Sequence, residues 1–322
     1  MPPLRPRLLI TRRVFPEVIE ALSTGFALTT NDEDRSWSAD ELRARIAQTD
    51  ALYAVAVDRI DASVIDAAPR LQIIATGSVG TNHIDLGACR ARGIQVTNTP
   101  EVLNEATADM AWALLMATAR RVTESERWLR AGHWQGWAWE QFLGADVHRT
   151  TLGIVGMGRI GSAIARRAQG FAMRIVYHNR RPSPAAEALG AQLLPLDELL
   201  AQADHVVLML PYSAAVHHCI GASELARMKP GATLINLARG GIVNDAALAR
   251  ALQTGVIAAA GLDVFEGEPA INPELLACSN VVLTPHIGSA TRSSRLGMAM
   301  LAARNLLAWK EGQALLTPVV PG

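Results

Sequence analysis

Short apolar segments alternate with longer amphipathic segments along most of the chain. This alternation is typical of parallel β-sheets that helices cover on both faces. A helix is predicted over 39–48, because Ser38 is a good N-cap and Glu41 stands where a capping box requires an acid. The acidic run Asn31–Asp34 is predicted to be a solvated loop. The strands that the pattern predicts in this part lie near 8–11, 51–57, 72–76 and 94–97.

The alternation stops at Pro100, where a helical pattern begins that continues without strong helix-breaking residues to about Arg130. The apolar face of this helix is formed by Ala108, Ala111, Leu115 and Thr118. A second alternating series begins at Thr151, and a closing helix is predicted from about Ser289 to Lys310. The strands predicted in the second series lie near 152–156, 173–178, 205–210, 232–237, 258–263 and 280–284.

Two α/β series separated by one long helix predict two domains that the chain crosses twice. The smaller domain is expected to comprise residues 1–99 plus 290–322, and the larger residues 100–289. A single domain would need an unusually wide sheet. In a two-domain molecule of this kind, a ligand is expected in the cleft between the domains.

Composition adds several exclusions. Half of the 322 residues are hydrophobic, and 30 basic residues balance 30 acidic ones, so no charge excess favours nucleic acid or an anionic membrane. The apolar run Leu8–Ile10 is far too short for a signal peptide, and no stretch approaches the ~18–20 apolar residues of a spanning helix. Cys89, Cys219 and Cys278 are scattered, which is typical of free thiols, and we expect a cytoplasmic protein.

A glycine-rich turn is the strongest single motif. An apolar strand precedes Gly156-Met157-Gly158-Arg159-Ile160-Gly161, and a helix-compatible segment follows it. In such a motif the first glycine permits the tight turn, the second lets a pyrophosphate approach the backbone, and the third lets the helix pack on its strand. The phosphates then lie at a helix N-terminus. The larger domain is therefore predicted to be a Rossmann-type dinucleotide-binding domain.

The end of the next strand bears on which dinucleotide binds. An NAD site has an Asp or Glu about 20 residues after the glycines, where it bonds the ribose 2′-OH. Here that position is taken by Asn179, followed by Arg180 and Arg181. A carboxylate would repel a 2′-phosphate, whereas a guanidinium can bind it through charge-assisted hydrogen bonds. The missing acid and the two arginines favour NADPH, although the arginines would also be ordinary as solvated surface charges.

Further motifs follow the turn in order, namely LINLARGGIVNDAAL, AAAGLDVFEGEP and LTPHIGSAT. Together with GIVGMGRIG, and with SVGTNHIDL nearer the N-terminus, they resemble the D-2-hydroxyacid dehydrogenase family over nearly the whole chain. The helix VLNEATADMAWALLMATARR is similar to that of its glyoxylate/hydroxypyruvate reductase and 2-ketogluconate reductase branch. The resemblance implies an oxidoreductase that transfers a hydride to a small 2-keto acid, with a smaller flavodoxin-like substrate domain beside the cofactor domain.

By this resemblance Arg239, Glu268 and His286 match the family's catalytic arginine, glutamate and histidine. Reducing a ketone requires a proton on oxygen as well as a hydride on carbon, and histidine is suited to donate it at neutral pH. A glutamate beside the histidine stabilises the imidazolium, and an arginine can polarise the carbonyl and pair with the substrate carboxylate. Taken singly, each residue has an ordinary structural interpretation.

Other residues are assigned by the same resemblance. Val79 and Gly80 match a loop whose backbone N–H groups receive the substrate carboxylate. Thr107 matches a position that contacts the cofactor phosphates, and Asp263 one that bonds the nicotinamide carboxamide. The remaining positions expected to contact the cofactor, besides the six residues of the glycine turn and Asn179 to Arg181, are Leu210, Pro211, Ala238, Arg239, His286 and Gly288.

Two clusters invite other interpretations. His217-His218 resembles part of a metal site, but without a clustered carboxylate a solvated helix end is favoured, and no metal is expected. Several aromatic residues in one loop are costly to leave in water, so a homodimer is expected with this loop and the 100–130 helix at the contact. These aromatic residues are Trp134, Trp137, Trp139 and Phe142.

Two other functions stay open. An NAD-dependent D-lactate-type dehydrogenase has the same motifs, although the segment Asn179–Pro182 argues against it. A dinucleotide-sensing corepressor on the same fold would bind without catalysis, and the intact set of Arg239, Glu268 and His286 argues against that. Glyoxylate, hydroxypyruvate and 2-ketogluconate share the groups that this set would bind and differ only in the tail.

Overall fold

A computed structural model describes residues 5–319, which divide into two compact units. The first unit contains the residues up to Leu103 together with those from Thr291 onward, and the second unit contains Asn104–Ala290. Each unit is built around one parallel sheet. The expected α/β fold class is confirmed.

Strands and helices alternate along most of the chain. The strands are β1 (Arg7–Ile10), β2 (Ala27–Thr29), β3 (Ala51–Ala54), β4 (Ile73–Thr76), β5 (Gln95–Thr97), β6 (Thr151–Val155), β7 (Arg174–His178), β8 (Gln192–Leu193), β9 (His205–Leu208), β10 (Thr233–Asn236), β11 (Ala259–Leu262) and β12 (Val281–Leu283). The helices are α1 (Pro16–Ser23), α2 (Ala39–Ile46), α3 (Ala62–Asp66), α4 (Leu86–Ala91), α5 (Asn104–Ala119), α6 (Val122–Arg130), α7 (Arg159–Ala168), α8 (Pro184–Glu187), α9 (Leu196–Gln202), α10 (Ala222–Leu225), α11 (Asp245–Gln253), α12 (Pro273–Leu276) and α13 (Arg292–Lys310).

The sheet of the first unit has the strand order β2-β1-β3-β4-β5. This is the flavodoxin-like order. One face is covered by α1 and α13, whose buried Leu22 and Leu306 pack with Leu8 and Ile10 of β1. The other face buries a separate apolar cluster around Ile46, to which α2, α3 and α4 contribute. With both faces covered, the three inner strands β1, β3 and β4 are almost continuously buried runs of mainly apolar residues.

The sheet of the second unit has the order β12-β11-β10-β9-β6-β7-β8. All neighbouring strands are parallel, and the order reverses between β6 and β9, as in a Rossmann fold. Helices α5 and α7 cover one face, and α9 to α12 cover the other. Ligands of open α/β sheets bind outside the carboxyl ends of the strands, at this reversal.

Most of the predicted elements are present. The capping box at Ser38 and Glu41 is formed as expected, and every predicted strand is found. The predicted apolar face of α5 is buried at all four positions. The apolar pattern does not predict the two short strands β2 and β8. Among residues 5–319, no helix is both long and apolar enough to cross a bilayer.

The predicted continuous helix over 100–130 is wrong in one respect, because the structure breaks it into α5 and α6. Arg121, between them, has the left-handed backbone angle φ 52°, and its guanidinium pairs with Glu124. Helix α5 buries half of its residues, whereas α6 buries none, so the break follows the point where the chain leaves the sheet. The closing helix starts at Arg292, since Thr291 caps it.

The solvated loop predicted over Asn31–Asp34 is present, except that its first residue is buried. Asn31 is buried, and its side-chain amide donates to the carbonyl oxygens of Thr11 and Arg35. The side chain therefore fastens this loop to the end of β1. The other three residues of the run are exposed, as expected.

Candidate active site

The glycine-rich turn joins β6 to α7, and at two of its three glycine positions the backbone packs too closely for any side chain. Gly156 has φ +101°, and a Cβ there would lie 2.6 Å from the backbone nitrogen of Leu210. A Cβ on Gly161 would lie 2.5 Å from the carbonyl oxygen of Gly156. At Gly158, by contrast, a Cβ would meet nothing within 4 Å, so the middle of the turn faces open space. These are the three roles that a dinucleotide turn assigns to its glycines.

The backbone N–H groups of the turn fit a phosphate ligand. Gly156 donates its N–H to the His178 carbonyl oxygen, at 3.0 Å. Among residues 5–319, no acceptor is bonded to the N–H of Gly158 or Ile160, which lie at the start of the ten-residue helix α7. A helix N-terminus with free N–H groups stabilises an anion through hydrogen bonds and the helix dipole. The residues present therefore fit the pyrophosphate of a dinucleotide.

Asn179, one residue beyond β7, completes the turn. Its Oδ1 accepts the N–H of Met157 at 2.7 Å, and its Nδ2 donates to the Met157 carbonyl oxygen at 3.3 Å. The neighbouring Arg180 and Arg181 are exposed, and neither has a hydrogen bond or ion pair with any residue that the structure describes. This end of the turn therefore carries positive charge and no carboxylate of its own.

The three residues expected to carry the chemistry lie after three adjacent strands of the same sheet. Arg239 follows β10, Glu268 follows β11 and His286 follows β12. The structure brings Glu268 and His286 together, with 2.8 Å between Glu268 Oε2 and His286 Nδ1. Because Nδ1 is engaged by the carboxylate, Nε2 is the ring nitrogen left to exchange a proton with a substrate.

The charges of the three residues are coupled. Burial raises the pKa of Glu268, but hydrogen bonds from His286 and from the Phe265 N–H, and the charges of His286 and Arg239, together lower it below its ordinary value. Burial lowers the pKa of Arg239, and the charge of Glu268 partly opposes this. Glu268 is therefore ionised at neutral pH and can stabilise an imidazolium on His286.

The loop that carries His286 is held by Asp263, a role that sequence reasoning missed. Asp263 is 1% exposed, and its Oδ1 accepts the hydroxyl of Thr284 at 2.6 Å and the N–H of Ile287 at 2.8 Å. Its Oδ2 accepts the N–H of Gly288 at 2.7 Å. His286 itself has a left-handed backbone with φ 53°, and the three bonds around it fix this strained conformation. The expected contact of Asp263 with the nicotinamide carboxamide stays a prediction.

The loop that carries Arg239 is held by Asn236, which was also missed. Its Oδ1 accepts the Ala238 N–H at 3.0 Å, and its Nδ2 donates to the Arg239 carbonyl oxygen at 3.2 Å. The guanidinium of Arg239 donates in turn to the Ala238 carbonyl oxygen. A Cβ at Gly240 would collide with the Phe265 carbonyl oxygen, so the loops after β10 and β11 are in direct contact.

The other expected cofactor positions lie on the same unit. Leu210 and Pro211 follow β9, and the Leu210 nitrogen packs against Gly156. Thr107 is buried in α5 with its methyl group beside Gly288. Their contacts with a cofactor stay predictions.

The two expected carboxylate-binding residues lie in the first unit, just after β4. The Ser78 hydroxyl donates to the Gly80 carbonyl oxygen at 2.7 Å, and the Asn98 side chain donates to the Val79 carbonyl oxygen at 2.8 Å. Within the described chain, the N–H groups of Val79 and Gly80 have no acceptor. A loop held by its carbonyl groups with its N–H groups free suits a small anion.

The second unit combines a dinucleotide turn with a histidine–carboxylate pair and an arginine at one edge of a parallel sheet, which is the equipment of a dinucleotide-dependent oxidoreductase. Residues 112–288 match the family model described as "D-isomer specific 2-hydroxyacid dehydrogenase, NAD binding domain". The chain belongs to the D-isomer specific 2-hydroxyacid dehydrogenase family.

Individual relatives agree over nearly full length. The glyoxylate reductase of Thermococcus onnurineus is 49% identical over 315 residues, which are 96% of this chain and 94% of that protein. A glyoxylate reductase from Paecilomyes thermophila is similar in structure, with a TM-score of 0.89 and 35% identity over 99% of each chain. An NADPH-dependent glyoxylate/hydroxypyruvate reductase from Sinorhizobium meliloti, solved with NADP and malonate, has a TM-score of 0.87 and 38% identity, covering 98% of this chain and 97% of that one.

Proposed function

We propose that this protein reduces glyoxylate, and with it small 2-keto acids such as hydroxypyruvate or 2-ketogluconate, to the D-2-hydroxy acids with NADPH. The observation that carries the proposal is the 2.8 Å contact between His286 Nδ1 and Glu268 Oε2, on the sheet edge that also carries Arg239. An oriented imidazole with an ionised carboxylate partner is a proton donor for a carbonyl oxygen. The glyoxylate reductases at 49% and 35% identity support the substrate class.

The chemistry that NADPH supplies when bound is a hydride for the carbonyl carbon. His286 donates the Nε2 proton to the carbonyl oxygen, so that the ketone or aldehyde becomes an alcohol. Glu268 holds the ring by Nδ1 and stabilises its charged form before the transfer. Arg239 polarises the carbonyl and stabilises negative charge that develops on its oxygen. The N–H groups of Val79 and Gly80 receive the substrate carboxylate.

The preference for NADPH rests on the charges after β7. An amide replaces the acid that would select an unphosphorylated ribose, and two exposed arginines follow it. The Sinorhizobium meliloti reductase, whose structure holds NADP, supports the same assignment.

A homodimer is part of the proposal. Trp137 and Trp139 are 71% and 84% exposed, and Trp134 and Leu143 are exposed beside them. Helix α6, directly before this segment, buries none of its residues within the subunit. A second copy that covered α6 and the tryptophans would remove this apolar surface from water.

The test is steady-state reduction of glyoxylate, hydroxypyruvate and 2-ketogluconate, followed by the loss of NADPH absorbance. We expect turnover with at least glyoxylate, and His286→Ala is expected to lower kcat by roughly 10²–10⁴-fold, as for loss of a positioned acid. His148→Ala, at an exposed position away from the site, is the matched control. Binding of NADPH without turnover of any keto acid would instead favour a dinucleotide-sensing protein.

A further inference from the structure

A second polar cluster lies at the same edge of the sheet as the catalytic pair. His217, His218 and Glu266 each offer one ligand atom, and these atoms lie within 4.8 Å of one another. The order of residues along the chain does not predict a carboxylate beside the two histidines, because Glu266 comes 48 positions after His218. The fold supplies it, since the loops after β9 and β11 meet here.

The contacts join both rings to one carboxylate. His218 Nε2 lies 2.7 Å from Glu266 Oε2, and His217 Nε2 lies 3.8 Å from Glu266 Oε1. The two imidazole rings stack with centroids 3.8 Å apart. The side chains of the three residues are between 33% and 43% exposed, so an ion and its water can reach them from solvent.

The outer nitrogen of each ring is also engaged. The Tyr212 hydroxyl lies 3.1 Å from His217 Nδ1, and the Asn244 side-chain nitrogen lies 3.2 Å from His218 Nδ1. The His218 N–H donates to the Gly241 carbonyl oxygen at 2.7 Å, and its backbone is left-handed, with φ 52°. These contacts hold the backbone and the Nδ1 side of the rings, so that the Nε2 atom of each ring faces Glu266.

We propose that His217, His218 and Glu266 bind a divalent transition-metal ion such as Zn²⁺, with water completing the coordination. Two imidazoles and one carboxylate are an established donor set for zinc, and the mixture of nitrogen and oxygen ligands disfavours Ca²⁺ and Mg²⁺. Because the two rings are stacked, their Nε2 lone pairs point side by side and do not converge on one ion. We therefore expect the His217 ring to rotate when an ion binds, which its exposure permits.

Asn244 sets a limit on the affinity. Its Oδ1 caps α11 by accepting the Ala247 N–H at 2.9 Å, so its Nδ2 is the atom that donates to His218 Nδ1. In this arrangement the neutral His218 ring carries its proton on Nε2, where it is donated in a hydrogen bond to Glu266. A metal bound to Nε2 requires the ring proton to be on Nδ1 instead. There it faces the side-chain NH₂ group of Asn244, which is itself a donor and cannot accept it. Asp in place of Asn244 would keep the cap and accept this proton.

The experiment is a titration of the full-length protein, freed of metal by chelation, with Zn²⁺ against a chromogenic competitor. We expect one ion per chain, and binding at least tenfold weaker in His217→Ala and in Glu266→Gln. Asn244→Asp is expected to bind about tenfold more tightly, in line with the usual effect of a carboxylate behind a histidine ligand. His133→Ala, an exposed histidine elsewhere, is the control and is expected to match the wild type.

Co²⁺ gives a second readout, because its visible absorption reports the ligands of the ion directly. Its visible absorption reports coordination by the two imidazoles, and is expected to be lost in His217→Ala. The melting temperature of each variant without metal shows whether the fold is retained. Failure of the wild type to bind Zn²⁺, or equal binding by the wild type, His217→Ala and Glu266→Gln, overturns the proposal.

Discussion

Asn179 shows how much one side chain can decide at the residue scale. Its amide oxygen holds the glycine turn through the Met157 N–H, while the absence of charge leaves room for a phosphorylated ribose. An aspartate is nearly isosteric and would still accept the same N–H. The structural and electrostatic parts of this position can therefore be separated by a single substitution.

For the wild type we expect kcat/KM with NADPH to exceed that with NADH by at least tenfold, or about 1.4 kcal/mol. Asn179→Asp is expected to invert the preference, because it keeps the turn but places a negative charge near the 2′-phosphate. Steady-state kinetics with both cofactors measure the ratio. Replacing Arg180 and Arg181 by alanine should erase the preference and leave NADH use nearly intact. Equal use of both cofactors by the wild type would contradict the assignment.

Glu268 and His286 define a second prediction at this scale. The pKa of Glu268 is lowered, so its carboxylate stays charged throughout the range in which an imidazole titrates. Glu268→Gln keeps the shape and removes the charge that stabilises the imidazolium. The alkaline limb of the reduction profile should therefore move to lower pH, with the rate at low pH much less affected. A profile that superimposes on the wild type would show that the pair is not coupled.

At the scale of elements, buried polar side chains tie strands to the segments around them. His205 begins β9 and is fully buried, with Nδ1 2.8 Å from the Thr233 hydroxyl and Nε2 2.9 Å from the Asp146 carbonyl oxygen. It links β9 to β10 and to the chain that leads into β6. Burial lowers the pKa of His205, and the bond to Asp146 and the charge of Asp204 only partly oppose this.

Because the pKa of His205 is lower in the folded protein than in the unfolded chain, stability from this residue is complete above about pH 6.5 and is lost as the pH falls. One such proton changes the free energy of unfolding by up to about 1.4 kcal/mol per pH unit. We expect His205→Gln to lower the melting temperature at pH 8 and to flatten its decline between about pH 6.5 and 5. The exposed His148→Gln should decline like the wild type.

The elements that the sequence predicts best are those with strong apolar contrast. Buried strands and the capped α2 are read directly from it, whereas β2 and β8 have three and two residues and bury little. The break after α5 is not marked by a glycine or proline in the sequence, because it depends on where the sheet ends.

In the active site, the motifs identify Arg239, Glu268 and His286. The loop-holding roles of Asp263 and Asn236 escape notice, since they depend on segments that meet only in the folded chain.

At the scale of the whole molecule, the exposed tryptophans are the feature that most strongly indicates an interface with a partner. Trp137 and Trp139 pack edge to face at 4.7 Å, and both remain mostly exposed to solvent within the described part of the chain. Aromatic side chains of this size are typical anchors of protein interfaces. The position of these two residues close to α6 in the chain suits a symmetric contact between two copies.

We expect light scattering to give about twice the 34.5 kDa mass of one chain at working concentration. Trp137→Ser with Trp139→Ser is expected to weaken the dimer by roughly 30-fold or more, since a central tryptophan typically contributes about 2 kcal/mol or more to an interface. Trp37→Ser, in the first unit, is the comparison variant. A mass near 34.5 kDa for the wild type would overturn the dimer.

The open face of Gly158 has a consequence for how such a chain changes over generations. Selection for folding alone retains glycine at 156 and 161, because a side chain at either position collides with the backbone. At 158 the fold imposes no such demand, since a methyl group there touches no protein atom within 4 Å. What would exclude it is a pyrophosphate that approaches the backbone at this position. In a lineage that abandoned the dinucleotide, drift would therefore reach position 158 first and leave the other two glycines in place.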